Sequence, residues 1–391
     1  MVRQTSLAVA ALALAQCGAA AVVKLPIWFR NTYAMTELAV GTPPVNHLLF
    51  FDTGSGSSWI VDKACADGAC RNGSGYPRYG YDANASSKSL DLGIYDSIEY
   101  LGGKTGGPAM ADMFHADGQS WNQTFLAANQ TSWSFIPGDG FFGMAFSTIA
   151  QPRTEVVVET MIREGILDAP KFAMYYGKEF RDTGDGPGDG AITLGASEEA
   201  KYVEGDLTWL PGRKDNGTVY QLWRSTLREV RGRHTGSSCK LVAAEPITYP
   251  PGRANGVFDT GTGVFSVPKA ALDPLYKAIG WPSFEALVGG KFMPLCSYFN
   301  STWAVDFAFS DDGVHYSNIT VTGDQFRGNT GFAGRDDACE PPFSESGGDG
   351  LYLFGQSVLR HVYSVYDYGA TEVKDYKPRI GWGKLKEEYF A

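Results

Sequence analysis

Histidine is scarce in this chain, five among 391 residues, and none stands with cysteine at the spacing a zinc site needs, so neither a metal nor a cofactor is expected. Basic blocks are missing as well. Acidic residues outnumber basic ones by 43 to 33, for a formal charge of −10, which speaks against nucleic acid and against an anionic membrane surface as partners. The apolar run at residues 7–15, LAVAALALA, is too short to span a bilayer. With Arg3 before it and small residues at 18–21 after it, it reads as the core of a secretory signal peptide over residues 1–21. The ending KLKEEYFA carries no hydrophobic tail for a glycolipid anchor, so no membrane attachment is expected.

Cysteine is sparse too. Of six, Cys17 lies in the leader, Cys65 and Cys70 stand close together, Cys296 and Cys339 lie in the last third, and Cys239 is alone. In an oxidising compartment this predicts two disulfides and one buried, inert thiol, with connectivity left open. Seven Asn-x-Ser/Thr sequons, at Asn72, Asn84, Asn122, Asn129, Asn216, Asn300 and Asn318, agree with passage through a glycosylating route.

Glycine, by contrast, is plentiful at 48, proline numbers 20, and apolar runs are short and punctuated by turns, which favours strands. The length suits two lobes or one large all-β unit. One stretch, residues 48–61 (LLFFDTGSGSSWIV), sets an acid among large apolar residues. Burying a lone carboxylate is costly unless it is hydrogen-bonded or neutralised. Thr53 and Ser55 offer hydroxyls, and Gly54 and Gly56 let backbone N–H groups come close.

The same sentence is written again. Residues 257–268 read VFDTGTGVFSVP, placing Phe258, Asp259, Thr260, Gly261, Thr262 and Gly263 where Phe51, Asp52, Thr53, Gly54, Ser55 and Gly56 stand. A second echo, Phe141-Phe142-Gly143 and Leu353-Phe354-Gly355, follows each aspartate at nearly the same offset. Matched elements in matched order predict two related lobes. A third Asp-Thr-Gly, at 182–184 inside RDTGDGPGDG, lacks the apolar strand and reads as a solvated loop without function.

If a pseudo-two-fold axis relates the lobes, the two carboxylates meet. At about 3 Å and an effective dielectric near 20, two anions repel by roughly 5 kcal/mol, or about four pKa units. One acid keeps a proton while the other ionises. Such a pair can activate a water with one member and protonate a carbonyl oxygen with the other, which is acid–base hydrolysis of an amide.

On these residues the chain resembles the pepsin-like aspartic proteases, of a secreted, fungal type, over nearly its whole length after the leader. Residues 36–61, with the Gly-Thr-Pro-Pro turn at 41–44, resemble the family's first strands. Residues 191–211 resemble its crossover between lobes, and residues 363–367 (YSVYD) with 379–382 (RIGW) its closing strands. The resemblance implies an all-β, bilobal fold divided near 22–205 and 206–391, with Asp52 and Asp259 catalytic. It implies that Ser55 and Thr262 orient them, that Gly54 and Gly261 approach closely, and that Tyr100 caps a protein or peptide substrate from a flap, its hydroxyl held by Trp59. It further implies disulfides Cys65–Cys70 and Cys296–Cys339, a monomer, a secreted or vacuolar location, and cleavage between apolar residues at acid pH.

Several features depart from the family pattern. Tyr100 is followed by Leu-Gly-Gly rather than directly by glycine, and Gly56 and Gly263 replace the usual serine or threonine, an expected loosening of the dyad's outer support. Between leader and Asp52 there is no room for the usual inhibitory propeptide. These departures motivate an alternative, a non-catalytic binding or inhibitor protein on the same fold. A glycosidase also pairs carboxylates, but roughly 5 to 10 Å apart and without duplicated Asp-Thr-Gly loops.

Overall fold

The computed structural model describes residues 20–184, 186–236 and 238–390; the leader expected at the start lies, over residues 1–19, outside them. Strands dominate, and the longest helix among the described residues is Lys269–Ala278. Two sheets carry the chain: one of 14 strands, the other of 9.

The first strand, Val23–Arg30, shows why the pattern folds as it does. Val23, Leu25, Ile27 and Phe29 are buried while Lys24 and Pro26 face outward, the period of two that a sheet with one covered face demands. It joins Ala191–Leu194 on one side and Tyr33–Val40 on the other. Tyr33–Val40 pairs in turn with Val45–Asp52, whose last residues, Leu49 to Asp52, are all buried because this strand is central and covered on both faces.

The two sequence echoes become one architectural unit, made twice. Val45–Asp52 runs parallel to Gly140–Gly143, with Asp52 opposite Gly143. Asn255–Phe258 runs parallel to Leu351–Phe354, with Phe258 opposite Phe354. Each apolar-apolar-Gly strand is also flanked antiparallel, by Trp59–Val61 in the first half and Ser266–Val267 in the second. Gly355 permits the close threading. A Cβ there would stand 2.2 Å from the Val264 carbonyl oxygen and 2.4 Å from that of Thr262.

The larger sheet also joins the halves. Lys171–Tyr175 pairs with Val362–Asp367, which pairs with Arg379–Lys384, and that strand with Thr208–Pro211. Beneath the junction Trp223 donates to the Met144 carbonyl at 2.8 Å and packs against Phe172 and Tyr366. Cys65–Cys70 and Cys296–Cys339 are both disulfides. Cys239 is free but exposed, which corrects the expectation of a buried thiol. It lies in a turn, with a positive φ of 57°, next to the strand Leu241–Ala243, whose residues are all exposed. The third Asp-Thr-Gly is a surface loop, held by Thr183, whose N–H donates to the Phe29 carbonyl at 2.9 Å.

Candidate active site

The Asp-Thr-Gly turns meet at the junction of the two halves, and their threonines tie them together. Thr53 N–H donates to Thr260 Oγ1 at 2.9 Å and Thr260 N–H to Thr53 Oγ1 at 2.9 Å. Each hydroxyl then donates across the interface, Thr53 to the Phe258 carbonyl at 2.8 Å and Thr260 to the Phe51 carbonyl at 2.9 Å. All four groups are satisfied in a buried place, where an unmade bond would be costly. Gln356 reinforces the second turn through a 2.7 Å bond from Nε2 to the Thr260 carbonyl.

This cross-bonding sets the carboxyl groups of Asp52 and Asp259 within hydrogen-bonding reach of each other. The glycines make it possible. A Cβ on Gly54 would fall 2.5 Å from Asp259 Oδ1, and one on Gly261 would fall 2.2 Å from Asp52 Oδ1. Each carboxylate thus rests over the other turn's glycine. The Gly54 N–H donates to Asp52 Oδ1 and the Gly261 N–H to Asp259 Oδ1, both at 2.8 Å.

The pair is not symmetric. Thr262 donates its hydroxyl to Asp259 Oδ2 at 2.7 Å, whereas the Ser55 hydroxyl is buried beside Asp52 and Tyr100 and closes no well-formed hydrogen bond among the described residues. Burial raises both carboxyls above the ordinary aspartate range; the charge of Asp259 lifts Asp52 further, while the Thr262 hydroxyl opposes the rise at Asp259. The pair therefore titrates as a unit holding one proton, and the Thr262 hydroxyl favours the ionised form at Asp259.

A hairpin of Leu90–Tyr100 and Gly103–Ala116 arches over this centre, closed by the two-residue turn of Leu101 and Gly102. Tyr100 points inward, and the Trp59 indole N–H donates to its hydroxyl at 3.0 Å. Burial, followed by the charge of Asp52, pushes the phenol well above its ordinary pKa, so it stays neutral. The unusual Leu-Gly-Gly tip has a physical reason. Gly102 and Gly103 lie flat on Trp133, where a Cβ would come within 2.7 and 2.9 Å of the indole, and Lys104 N–H donates to Ser132 Oγ at 2.7 Å. Asp112 stands away from the dyad, at the base, accepting from the Tyr81 hydroxyl at 2.7 Å and the Ser86 hydroxyl at 3.0 Å.

Beside the flap stands an aromatic wall that sequence reasoning did not assemble. Tyr100 packs on Trp133 and Phe141, Phe141 on Trp59 and Phe50, and Phe50 on Tyr33, which also meets Phe135. The cross-bonded threonines were missed as site residues too, although their recurrence in both motifs was the available signal. Gly56 proves crowded: a side chain there would press within 2.9 Å of the Phe146 and Ala150 backbone, while Gly263 faces open space. Among the described residues no cluster of metal-ligating side chains occurs.

A family model described as eukaryotic aspartyl protease matches residues 32–375. The chain is similar to gastricsin of Homo sapiens, 25% identical over 353 residues that cover 89% of this chain and 82% of that protein. It is similar to pepsin B of Canis lupus familiaris, 25% identical over 351 residues covering 88% and 81%. It also matches a probable vacuolar protease A of Trichophyton verrucosum (strain HKI 0517), 28% identical over 366 residues covering 92% and 80%.

Proposed function

From the premise that this chain belongs to the eukaryotic aspartyl protease family and is an aspartic endopeptidase, we propose that Asp52 and Asp259 cut peptide bonds through a shared proton, at acid pH, in a secreted or vacuolar setting. The observation that carries this is the mutual approach of the two carboxyl groups over Gly54 and Gly261. Asp259, whose ionised form the Thr262 hydroxyl favours, takes a proton from a water held between the acids as the water oxygen bonds to the substrate carbonyl carbon. Asp52 gives its proton to the carbonyl oxygen. The tetrahedral diol then collapses: a proton passes to the amide nitrogen, the C–N bond breaks, and one shared proton remains on the pair.

The other residues position substrate. Tyr100 lies over the strand that a peptide would form, and the partly exposed rings of Trp133, Phe135 and Tyr33 support a preference for apolar side chains near the cut. The non-catalytic alternative is less well supported, because both aspartates retain their backbone N–H donors. A denatured protein incubated with the purified chain at acid pH distinguishes the two. Cleavage between apolar residues, stopped by a statine-type inhibitor, is expected; an intact substrate at every acid pH tried would overturn the enzymatic reading.

The secretory part of the proposal has its own test. Asn84, Asn122, Asn129, Asn216 and Asn318 are exposed, whereas Asn72 and Asn300 are half-buried and donate their side-chain amides to the Ile136 and Ser297 carbonyls, each at 2.9 Å. Glycopeptide mass spectrometry of chain made in a eukaryotic secretory host should find glycan at the first five sites and little at Asn72 or Asn300. Absence of glycan everywhere would count against the secretory route.

A further inference from the structure

A cavity of about 580 Å³ opens where Asn31, Thr32 and residues 178–182 of the first half meet residues 327–330, Arg360 and His361 of the second. Its floor is cationic. Arg360 is 6% exposed, lies 4.5 Å over the Phe180 ring, and donates from Nη1 to Asn329 Oδ1 at 2.9 Å and from Nη2 to the Arg327 carbonyl at 2.7 Å. Its Nε bonds nothing among the described residues. Glu340 is the nearby acid, but its carboxylate accepts from Asn329 rather than from Arg360. His361, 4% exposed, sets Nε2 3.2 Å from the Arg327 carbonyl and leaves Nδ1 without a partner. Burial and the Arg360 charge lower this imidazole to about 3, so it is neutral and able to take up a proton beside an anion.

The rim repeats the sign. Lys178, Arg181 and Arg327 are exposed around the opening, against Glu179 and an Asp182 that already accepts from the Tyr76 hydroxyl. A basic locus around a buried guanidinium that closes no ion pair among the described residues is expensive to maintain, and it stands out in a chain of net charge −10.

Position says what would fill it. Thr32 is followed by Tyr33, the far end of the aromatic wall, and Tyr33 feels the charge of Glu340, the partner of Asn329 in the cavity lining. From Tyr100 the wall runs to Phe141, Phe50 and Tyr33 in ring-to-ring steps of 5.3, 5.2 and 5.8 Å. We propose that this cavity binds the carboxylate of an acidic side chain in the substrate, at a distance from the bond that is cut. The inference rests on the endopeptidase reading and adds a charge preference at a distance from the scissile bond.

The test uses quenched fluorescent peptides with one apolar cleavage site, in which a single Glu is moved through positions three to seven on either side, each paired with a Gln control. Near pH 5 the Glu side chain, with an ordinary pKa of about 4.3, is mostly ionised. At one position kcat/KM for Glu should exceed that for Gln by about tenfold, carried mainly by KM, as expected for a charge-assisted hydrogen bond. In an Arg181→Gln, Arg327→Gln double variant that ratio should fall to near one, while Lys277→Gln, an exposed charge change elsewhere, should leave it intact. Equal cleavage of Glu and Gln peptides at every position overturns the proposal, as does a Glu preference that survives the double variant. Binding of the same peptides with a reduced, uncleavable bond separates the two ideas. Preferential binding of the Glu form without any cleavage of the parent peptides would sustain the cavity and sink the catalytic reading; cleavage without preference would do the reverse.

Discussion

Asp52→Asn is expected to lower kcat/KM by about four orders of magnitude, the upper range for loss of general acid–base catalysis, with the fold retained. The amide keeps the shape of the carboxyl group and can accept the Gly54 N–H bond, so the loss is one of proton chemistry. Stability should change in the opposite sense. Burial and the Asp259 charge raise the Asp52 pKa in the folded chain, so the folded state holds a proton that an unfolded aspartate, with an ordinary value of about 3.9, releases. The sign follows from linkage: the contribution is fully present below about pH 4 and is lost as pH rises toward the raised folded value. The variant should therefore melt higher than the wild type near neutrality and no higher at acid pH. A variant that keeps more than a tenth of the activity would remove Asp52 from the dyad.

Thr260→Val carries the largest expected cost in stability, about 2–6 kcal/mol, because two buried backbone groups lose their partners at about 1–3 kcal/mol each. The Thr53 N–H and the Phe51 carbonyl both depend on that hydroxyl. Valine matches the shape but not the hydroxyl. Thr260→Ser, which restores the oxygen, should recover most of the loss. Urea unfolding measures it, and activity offers a second readout, since loosened turns no longer hold the two carboxyl groups together. A valine variant as stable as the wild type would mean that the cross-bonds between the turns are not made.

The repeat was legible because the chemistry requires two like turns, and each needs the same acid, the same hydroxyl and the same small residue. The parallel strands behind them were legible for a related reason: Gly143 and Gly355 must thread past the turn backbone, so the apolar-apolar-Gly signature is written twice. Tyr100 and Trp59, 41 positions apart, could be paired only through the family resemblance. What no local pattern shows is which distant groups meet. The Thr53–Thr260 bonds span 207 positions, and the aromatic wall draws Tyr33, Phe50, Trp133 and Phe141 from separate elements. Arg360 looks like any arginine until Asn329 and Phe180 close around it. The third Asp-Thr-Gly makes the same point from the other side. It has the residues but neither a buried strand before it nor a twin to face, and it stays in solvent.

If the two acids work as one unit holding a single proton, the pH dependence of kcat/KM on an uncharged peptide records it. A bell is expected, with two apparent pKa values belonging to the pair, its alkaline limb marking loss of the shared proton, and no comparable limb in the residual activity of Asp52→Asn. A profile that stays flat up to neutrality, or that rises with pH as a single ionisation, would contradict it.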